Sequence, residues 1–135
     1  MELGLRGKTA IVTGGSLGIG RAIARELAQE GVSVAIIARD PTRLQAAAAE
    51  ISRETNTPCS AIPADLTDTV QLEAAMAAAQ KALGQVDILV NNAGATPMGR
   101  IGDTADEVWL KSINLKLMGY MRCARILTPA MRARK

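Results

Sequence analysis

Short apolar runs alternate with longer, alanine-rich segments along the chain. An uninterrupted run such as Val-Ala-Ile-Ile-Ala in residues 34–38 is typical of a strand buried on both faces. The predicted strands lie at 8–13, 32–38, 58–64 and 86–90, and the predicted helices at 19–30, 41–55, 67–84 and 104–135. Regular alternation of strand and helix predicts a parallel sheet with right-handed crossovers. We therefore expect one α/β domain over residues 1–135, a Rossmann-type doubly wound sheet with strand order 3-2-1-4.

Several polar and special residues mark where the predicted helices begin and end. Gly31 follows the first helix as a stop signal, and Asp40 before Pro41 predicts the cap of the second. Either Thr67 or Asp68 caps the third helix. Residues 104–107, Thr-Ala-Asp-Glu, match a capping box that would open the last helix. That helix is expected to continue to the end of the chain, with a disturbance at Pro129.

A glycine-rich turn joins the first predicted strand to the first helix. Gly14 permits a tight turn, Gly18 lets the backbone approach a pyrophosphate, and Gly20 lets the helix pack closely on the sheet. The free N–H groups at the start of the helix favour an anion at this place. No Lys-Ser or Lys-Thr pair follows the last glycine, so the turn is not the phosphate loop of a nucleoside triphosphatase. The pattern predicts dinucleotide binding.

The end of the second strand bears on the choice of dinucleotide. An acidic side chain at this place accepts a hydrogen bond from the 2′-hydroxyl of NAD, whereas an arginine pairs with the 2′-phosphate of NADP. Arg39 follows the strand directly, and Asp40 fits a helix cap better than a ribose contact. We therefore favour NADP(H) over NAD(H). Arg39 also disfavours an S-adenosylmethionine-dependent methyltransferase, whose second strand typically ends in an acid.

Four motifs, in order, resemble those of the short-chain dehydrogenases/reductases. They are Thr13-Gly14-x-x-x-Gly18-x-Gly20, Asp65-Leu66, Asn91-Asn92-Ala93-Gly94 and Asn114 in Ile113-Asn114-Leu115. The resemblance implies an adenine contact at the second motif, a sheet-stabilising and cofactor-lining role for the third, and the helix asparagine of the catalytic tetrad for the fourth. The implied cofactor site consists of Gly14, Ser16, Leu17, Gly18, Ile19, Gly20, Arg39, Asp65, Leu66, Asn92, Ala93 and Gly94, and the implied catalytic residue is Asn114.

The rest of the family's catalytic set is not found in this sequence. The resemblance implies a serine and a Tyr-x-x-x-Lys pair after the last helix, but the one tyrosine, Tyr120, is followed by Ala124 at the fourth position. Lys116 precedes Tyr120 by four residues, in the reverse order, and we interpret that pair as incidental. We therefore expect a truncated domain, the N-terminal cofactor-binding portion. It would belong to an NADP(H)-dependent oxidoreductase that interconverts alcohols and ketones, or act as a non-catalytic dinucleotide-binding fragment.

Composition and charge narrow the remaining classes. The chain has no histidine and two distant cysteines, so we predict no metal site and reduced thiols, as is usual in the cytoplasm. No signal peptide or apolar span of ~20 residues is found, so we expect a cytoplasmic protein without a membrane partner. The net charge is +3, and residues 122–135 contain five basic side chains and no acidic one. We attribute these basic residues to a helix C-terminus rather than to nucleic-acid binding. Apolar residues of the last helix predict a homo-oligomer: Val108, Ile113, Leu117, Met121 and Leu127.

Overall fold

The computed structural model describes residues 2–134 and contains one parallel sheet of four strands. The strands are β1 (Thr9–Thr13), β2 (Ser33–Ala38), β3 (Cys59–Pro63) and β4 (Ile88–Val90). Their order is β3-β2-β1-β4, with both neighbours of β1 parallel to it. This arrangement confirms the predicted Rossmann-type order. It leaves β4 at one edge, with its three residues only half-buried.

Helices cover both faces of the sheet. They are α1 (Gly18–Gln29), α2 (Pro41–Thr55), α3 (Thr69–Leu83), α4 (Asp106–Ile113) and α5 (Gly119–Ala133). Because strand side chains alternate between faces, Val12 and Ile36 pack with α1 and α2, whereas Ile11 and Ile37 pack with α3 and α5. Both layers are thus built from aliphatic side chains, which explains how a chain with so few aromatic residues forms a core.

Capping follows the predictions for two helices and departs from them for a third. The Asp40 carboxylate accepts from the Arg43 N–H at 3.0 Å, and Asp68, not Thr67, caps α3. The predicted capping box is wrong, because the Thr104 hydroxyl donates to the Arg100 carbonyl at 2.7 Å. That bond closes a short 3-10 turn (Ile101–Asp103), so α4 begins only at Asp106.

The last helix is not continuous. A π-helical turn (Asn114–Met118) separates α4 from α5, and the Gly119 N–H donates to the Asn114 carbonyl across it. Pro129 lies inside α5 without ending it. Pro129 and Arg125 are both exposed, so water can bond to the Arg125 carbonyl that the proline leaves free. The disturbance therefore falls at the asparagine rather than at the proline.

The apolar residues of this region divide into two groups. Leu127 and Cys123 are buried against the α3 side of the sheet, so the expectation that Leu127 needs another chain is wrong. Ile113, Leu117 and Met121 are 45%, 57% and 51% exposed. With Leu110, they form an apolar stripe along α4, the π turn and α5. Nothing in residues 2–134 covers this stripe.

Other features bear on function only by narrowing it. Both thiols are free, and burial raises the pKa of Cys59 and of Cys123 to about 11, so neither is a reactive thiolate. Within the described part of the chain, no helix is long and apolar enough to cross a membrane. Nor do three or more potential metal-binding side chains come together there.

Candidate functional site

A cleft of about 560 Å³ opens at the carboxyl ends of the strands. It lies beside the end of β1. The chain continues from β1 to β2 on one side, and β4 lies on the other side, so the order of the strands reverses at this point. In open α/β sheets this switch point is where ligands bind. The volume falls in the ordinary range for small-molecule sites.

The turn between β1 and α1 forms the floor of the cleft. The chain turns sharply out of β1 at Gly14, which has φ +67°. The Gly14 N–H donates to the Ile37 carbonyl of β2 at 2.7 Å. Gly18 has φ +58°, with open space where a Cβ would stand. Both conformations favour glycine, and the space at Gly18 leaves room for a ligand against the backbone.

Gly15 and Gly20 are required by close packing instead. A Cβ on Gly20 would lie 2.8 Å from the Gly14 carbonyl carbon and would overlap its oxygen. A Cβ on Gly15 would lie 2.7 Å from the Ile36 side chain. The helix therefore approaches the turn as closely as the glycine pattern predicted, and Gly15 adds a second packing requirement that the pattern did not identify.

The first turn of α1 is a place for an anion. No side chain caps it, no acidic residue lies in it, and the N-cap position is held by Leu17, which is exposed. The backbone N–H groups at this end thus retain their hydrogen-bonding capacity, and the helix dipole favours negative charge beside them.

A set of hydrogen bonds ties β1 to the segment after β4. The buried Thr13 hydroxyl accepts from the backbone N–H groups of Asn92 and Ala93, each at 3.0 Å. The Asn92 side-chain amide donates to the carbonyls of Thr13 and Gly14 at 3.1 and 3.2 Å. This places Asn92 behind the cleft, where it holds the wall in position rather than lining it.

Two arginines stand at the end of β2. Arg39 is exposed and lines the cleft, and Arg43 lines it from the first turn of α2. The Asp40 carboxylate is already used, because it caps α2 and lies 3.7 Å from the Arg43 guanidinium. This end of the cleft therefore presents Arg39, which forms no salt bridge within residues 2–134, and an acid that the protein has engaged.

The segment after β3 presents an ionised carboxylate. Hydrogen bonds from the Thr67 hydroxyl at 2.7 Å and the Thr67 N–H at 2.9 Å lower the pKa of Asp65 below its ordinary value. The nearby charges of Arg39 and Lys111 act in the same direction. Leu66 lines the cleft, but most of its side chain is buried in the core on the α3 side.

Asn114 lies at the start of the π turn with both ends of its amide occupied. Its nitrogen donates to the Thr67 carbonyl at 2.9 Å, and its oxygen accepts from Arg122 at 2.8 Å. Two residues on, the Lys116 ammonium donates to the Thr96 hydroxyl at 2.9 Å. The Lys116 side chain also lies over Gly94, where a Cβ would stand 2.7 Å from its Cε.

The structure brings most of the predicted cofactor residues together. The lining residues among them are Gly14, Ser16, Leu17, Arg39, Asp65, Leu66, Ala93 and Gly94. Gly18, Ile19, Gly20, Asn92 and the predicted catalytic Asn114 do not line the cleft. Sequence reasoning missed Arg43, Thr67 and Leu115, which do. None of the three had a usable signal in the sequence.

A second cavity of about 530 Å³ adjoins the first. Arg39, Thr67, Ala95 and Leu115 border both, and α4 contributes Lys111 to the second. The two cavities are thus neighbours that share part of their walls, and α4 lines only the second.

Comparison with known proteins agrees with this geometry. The family model for short chain dehydrogenase matches residues 8–135. The 2,3-dihydro-2,3-dihydroxybenzoate dehydrogenase of Bacillus subtilis is 32% identical over 98% of this chain. That match covers 50% of the relative, so the chain spans about half the length of the curated relatives it matches.

Solved structures of the same kind superpose closely. L-Sorbose reductase from Gluconobacter frateurii, in complex with NADPH and L-sorbose, has a TM-score of 0.94 and 37% identity over 99% of this chain and 51% of its own. An alcohol dehydrogenase from the archaeon Thermococcus sibiricus, in complex with 5-hydroxy-NADP, has a TM-score of 0.88 and 30% identity over 93% and 54%. The sheet order, the glycine turn and these matches together establish that the chain belongs to the short-chain dehydrogenase family.

Proposed function

We propose that this chain is the dinucleotide-binding portion of an NADP(H)-dependent oxidoreductase that interconverts small alcohols and ketones. The observation that carries the proposal is the pairing of a free Arg39 with an engaged Asp40 at the end of β2. A guanidinium there complements a 2′-phosphate, and the Asp40 carboxylate that follows it is engaged as the cap of α2 rather than free for a 2′-hydroxyl. The NADPH and 5-hydroxy-NADP in the two solved relatives support the same cofactor class.

The residues of the cleft fit a dinucleotide along its whole length. We place the adenine beside the ionised Asp65 and the backbone of Leu66, and the pyrophosphate at the uncapped start of α1, near Ser16, Leu17, Gly18 and Ile19. Gly14 and Gly20 shape the turn, while Asn92 holds Ala93 and Gly94 under the second nucleotide half. When bound, a nicotinamide dinucleotide supplies or accepts a hydride; the chain's own residues bind it, orient it and fix its charge environment.

Binding can be tested by titrating the chain with NADPH and NADH and measuring dissociation constants by calorimetry. We expect NADPH to bind more tightly by at least about tenfold, since a charge-assisted phosphate contact contributes about 1.5–3 kcal/mol. Arg39→Ala should remove most of this preference. Arg53→Ala is the matched control, because Arg53 is an exposed arginine in the last turn of α2, away from the cleft. Equal affinity for both dinucleotides would contradict the NADP(H) assignment.

We also propose that this chain alone does not catalyse turnover. The sequence has no Tyr-x-x-x-Lys. The backbone carbonyl of Tyr120 accepts a hydrogen bond from the Asn91 side-chain amide at 3.3 Å. Burial raises the pKa of the Tyr120 hydroxyl, so it stays protonated near neutral pH. An assay with NADPH and a panel of ketones should therefore show binding without NADPH oxidation. Sustained oxidation would assign the proton transfer to residues within these 135.

A further inference from the structure

We infer that Lys116, rather than Asn114, is the polar side chain that this helical region presents to the β4-side half of a bound dinucleotide. The inference rests on the proposed function, because it assigns a contact within the same cleft. The two residues are close in sequence, but the structure gives them different surroundings.

Asn114 acts as a structural link. Its amide nitrogen donates to the Thr67 carbonyl, its amide oxygen accepts from Arg122, and its backbone carbonyl accepts from the Gly119 N–H. These bonds join the segment after β3 to both sides of the π turn. A ligand that used the Asn114 amide would have to displace protein partners that are already well placed.

Lys116 has the opposite properties. Its Cε lies over Gly94, which lines the cleft directly after β4, and a side chain on Gly94 would collide with it. Its ammonium is exposed and has one hydrogen-bond partner among residues 2–134, the Thr96 hydroxyl at 2.9 Å. An ammonium has three donors, so two remain for a ligand. No carboxylate in the described chain lies within ion-pair distance of it.

The orientation of the ligand follows from the two ends of the cleft. Arg39 and Asp65 lie at the carboxyl ends of β2 and β3, so the adenosine half belongs there. The other nucleotide half must then lie at the end of β4, beside Gly94 and Ala95. Lys116 is not one of the residues that line the cleft, but its side chain extends over Gly94 at this end, and from there we expect its ammonium to reach ribose or phosphate oxygens of that half.

The test compares a whole dinucleotide with its adenosine half. Dissociation constants of NADPH and of adenosine 2′,5′-bisphosphate are measured for the wild-type chain and for Lys116→Met, Lys116→Arg, Asn114→Ala and Lys81→Met. We expect K116M to weaken NADPH by about tenfold, the value of one charge-assisted hydrogen bond, and to leave the half-cofactor unchanged. K116R should restore most of the loss. K81M, an exposed lysine near the end of α3, should change neither constant.

Asn114→Ala serves as the contrast. It should lower the melting temperature by several degrees, as loss of a half-buried hydrogen-bonded link does, without changing the ratio of the two affinities. A selective loss of NADPH affinity in N114A, or an unchanged NADPH affinity in K116M, would overturn the inference while leaving the proposed function in place. If the wild-type chain binds neither ligand, the proposed function fails and the inference fails with it.

Discussion

The Thr13 hydroxyl accepts two backbone hydrogen bonds from Asn92 and Ala93, while the Asn92 side chain donates back to the Thr13 carbonyl. These bonds connect residues almost 80 positions apart and fix the distance between β1 and the segment after β4. Both walls of the cleft near the switch point depend on this pair. Hydrogen bonds of two side chains that do not line the cleft, Thr13 and Asn92, therefore help to set its shape.

Removing the Thr13 hydroxyl should destabilise the protein. Thr13→Val keeps the shape but leaves the part-buried N–H groups of Asn92 and Ala93 without this acceptor, at a cost of about 1–3 kcal/mol. Urea denaturation should show a lower midpoint with an unchanged slope. Thr13→Ser, which keeps the hydroxyl, is the control and should lose less than about 1.5 kcal/mol. A loss in Thr13→Val no larger than that in Thr13→Ser would contradict the dominant contribution of the hydroxyl.

Gly20 should be intolerant of even one methyl group. Because the clash of an alanine Cβ is with the Gly14 backbone, the neighbour cannot rotate away, and we expect Gly20→Ala to cost about 3 kcal/mol. Any remaining folded protein should bind dinucleotide more weakly, since the turn must shift. Gly102→Ala is the matched control, because no atom lies within 4 Å of a Cβ there. A thermal melt of G20A within a degree of wild type would contradict the close packing of α1 on the turn.

The Asp65 carboxyl should titrate below the ordinary range of about 3.9, and Thr67 is the main cause. A folded pKa below the unfolded one stabilises the protein at pH values above about 4, and this stabilisation is lost as the pH falls through the folded pKa. Thr67→Val should raise the pKa of Asp65 towards its ordinary value, as measured by carboxyl-carbon NMR titration.

Thr69→Val is the control for that titration, because Thr69 is exposed in the first turn of α3 and makes no bond to Asp65. It should leave the pKa of Asp65 unchanged. An Asp65 that titrates normally in the wild type would show that the Thr67 hydrogen bonds do not persist in solution.

The apolar stripe of Leu110, Ile113, Leu117 and Met121 should make the chain self-associate. Sedimentation velocity on the wild type is expected to show a species larger than a monomer, in a concentration-dependent manner. Leu117→Glu, which places a charge in the stripe, should shift the protein towards the monomer. Val70→Glu is the control, since Val70 is equally apolar and 75% exposed but lies on α3. A wild-type chain that sediments as a monomer at all concentrations would contradict this prediction.

The predicted elements were mostly correct because each depended on a local pattern. The strands and the first three helices lie within about two residues of their predicted ends, and Asp40 and Asp68 cap as short polar residues do. The errors fell where two local signals competed. The Thr104 hydroxyl could either cap the helix or donate to the Arg100 carbonyl. The 3-10 turn places that carbonyl within hydrogen-bond distance, so the hydroxyl bonds there. Pro129 predicted a disturbance of the last helix. Because Pro129 is exposed, water can bond to the carbonyl that it leaves free, and the helix continues.

The site was predicted less completely than the fold. The glycine turn and Arg39 were identified because a phosphate requires particular residue types at particular positions after a strand. Arg43, Thr67 and Leu115 were missed, because their place in the cleft depends on how α2, the segment after β3 and the π turn cross the sheet. No residue type or spacing in the sequence predicts how these elements cross the sheet.

The sequence by itself determined the class of this protein, since alternating apolar runs specify a parallel sheet, and it predicted a dinucleotide site from three glycines and an arginine. Only the tertiary structure decided which polar side chain faces which wall. Asn114 and Lys116 are two residues apart, and only the resemblance to the family favoured the asparagine as a site residue. Asn114 bonds to Thr67 in the segment after β3, and Lys116 bonds to Thr96 beyond the end of β4. No local sequence pattern encodes these long-range hydrogen bonds.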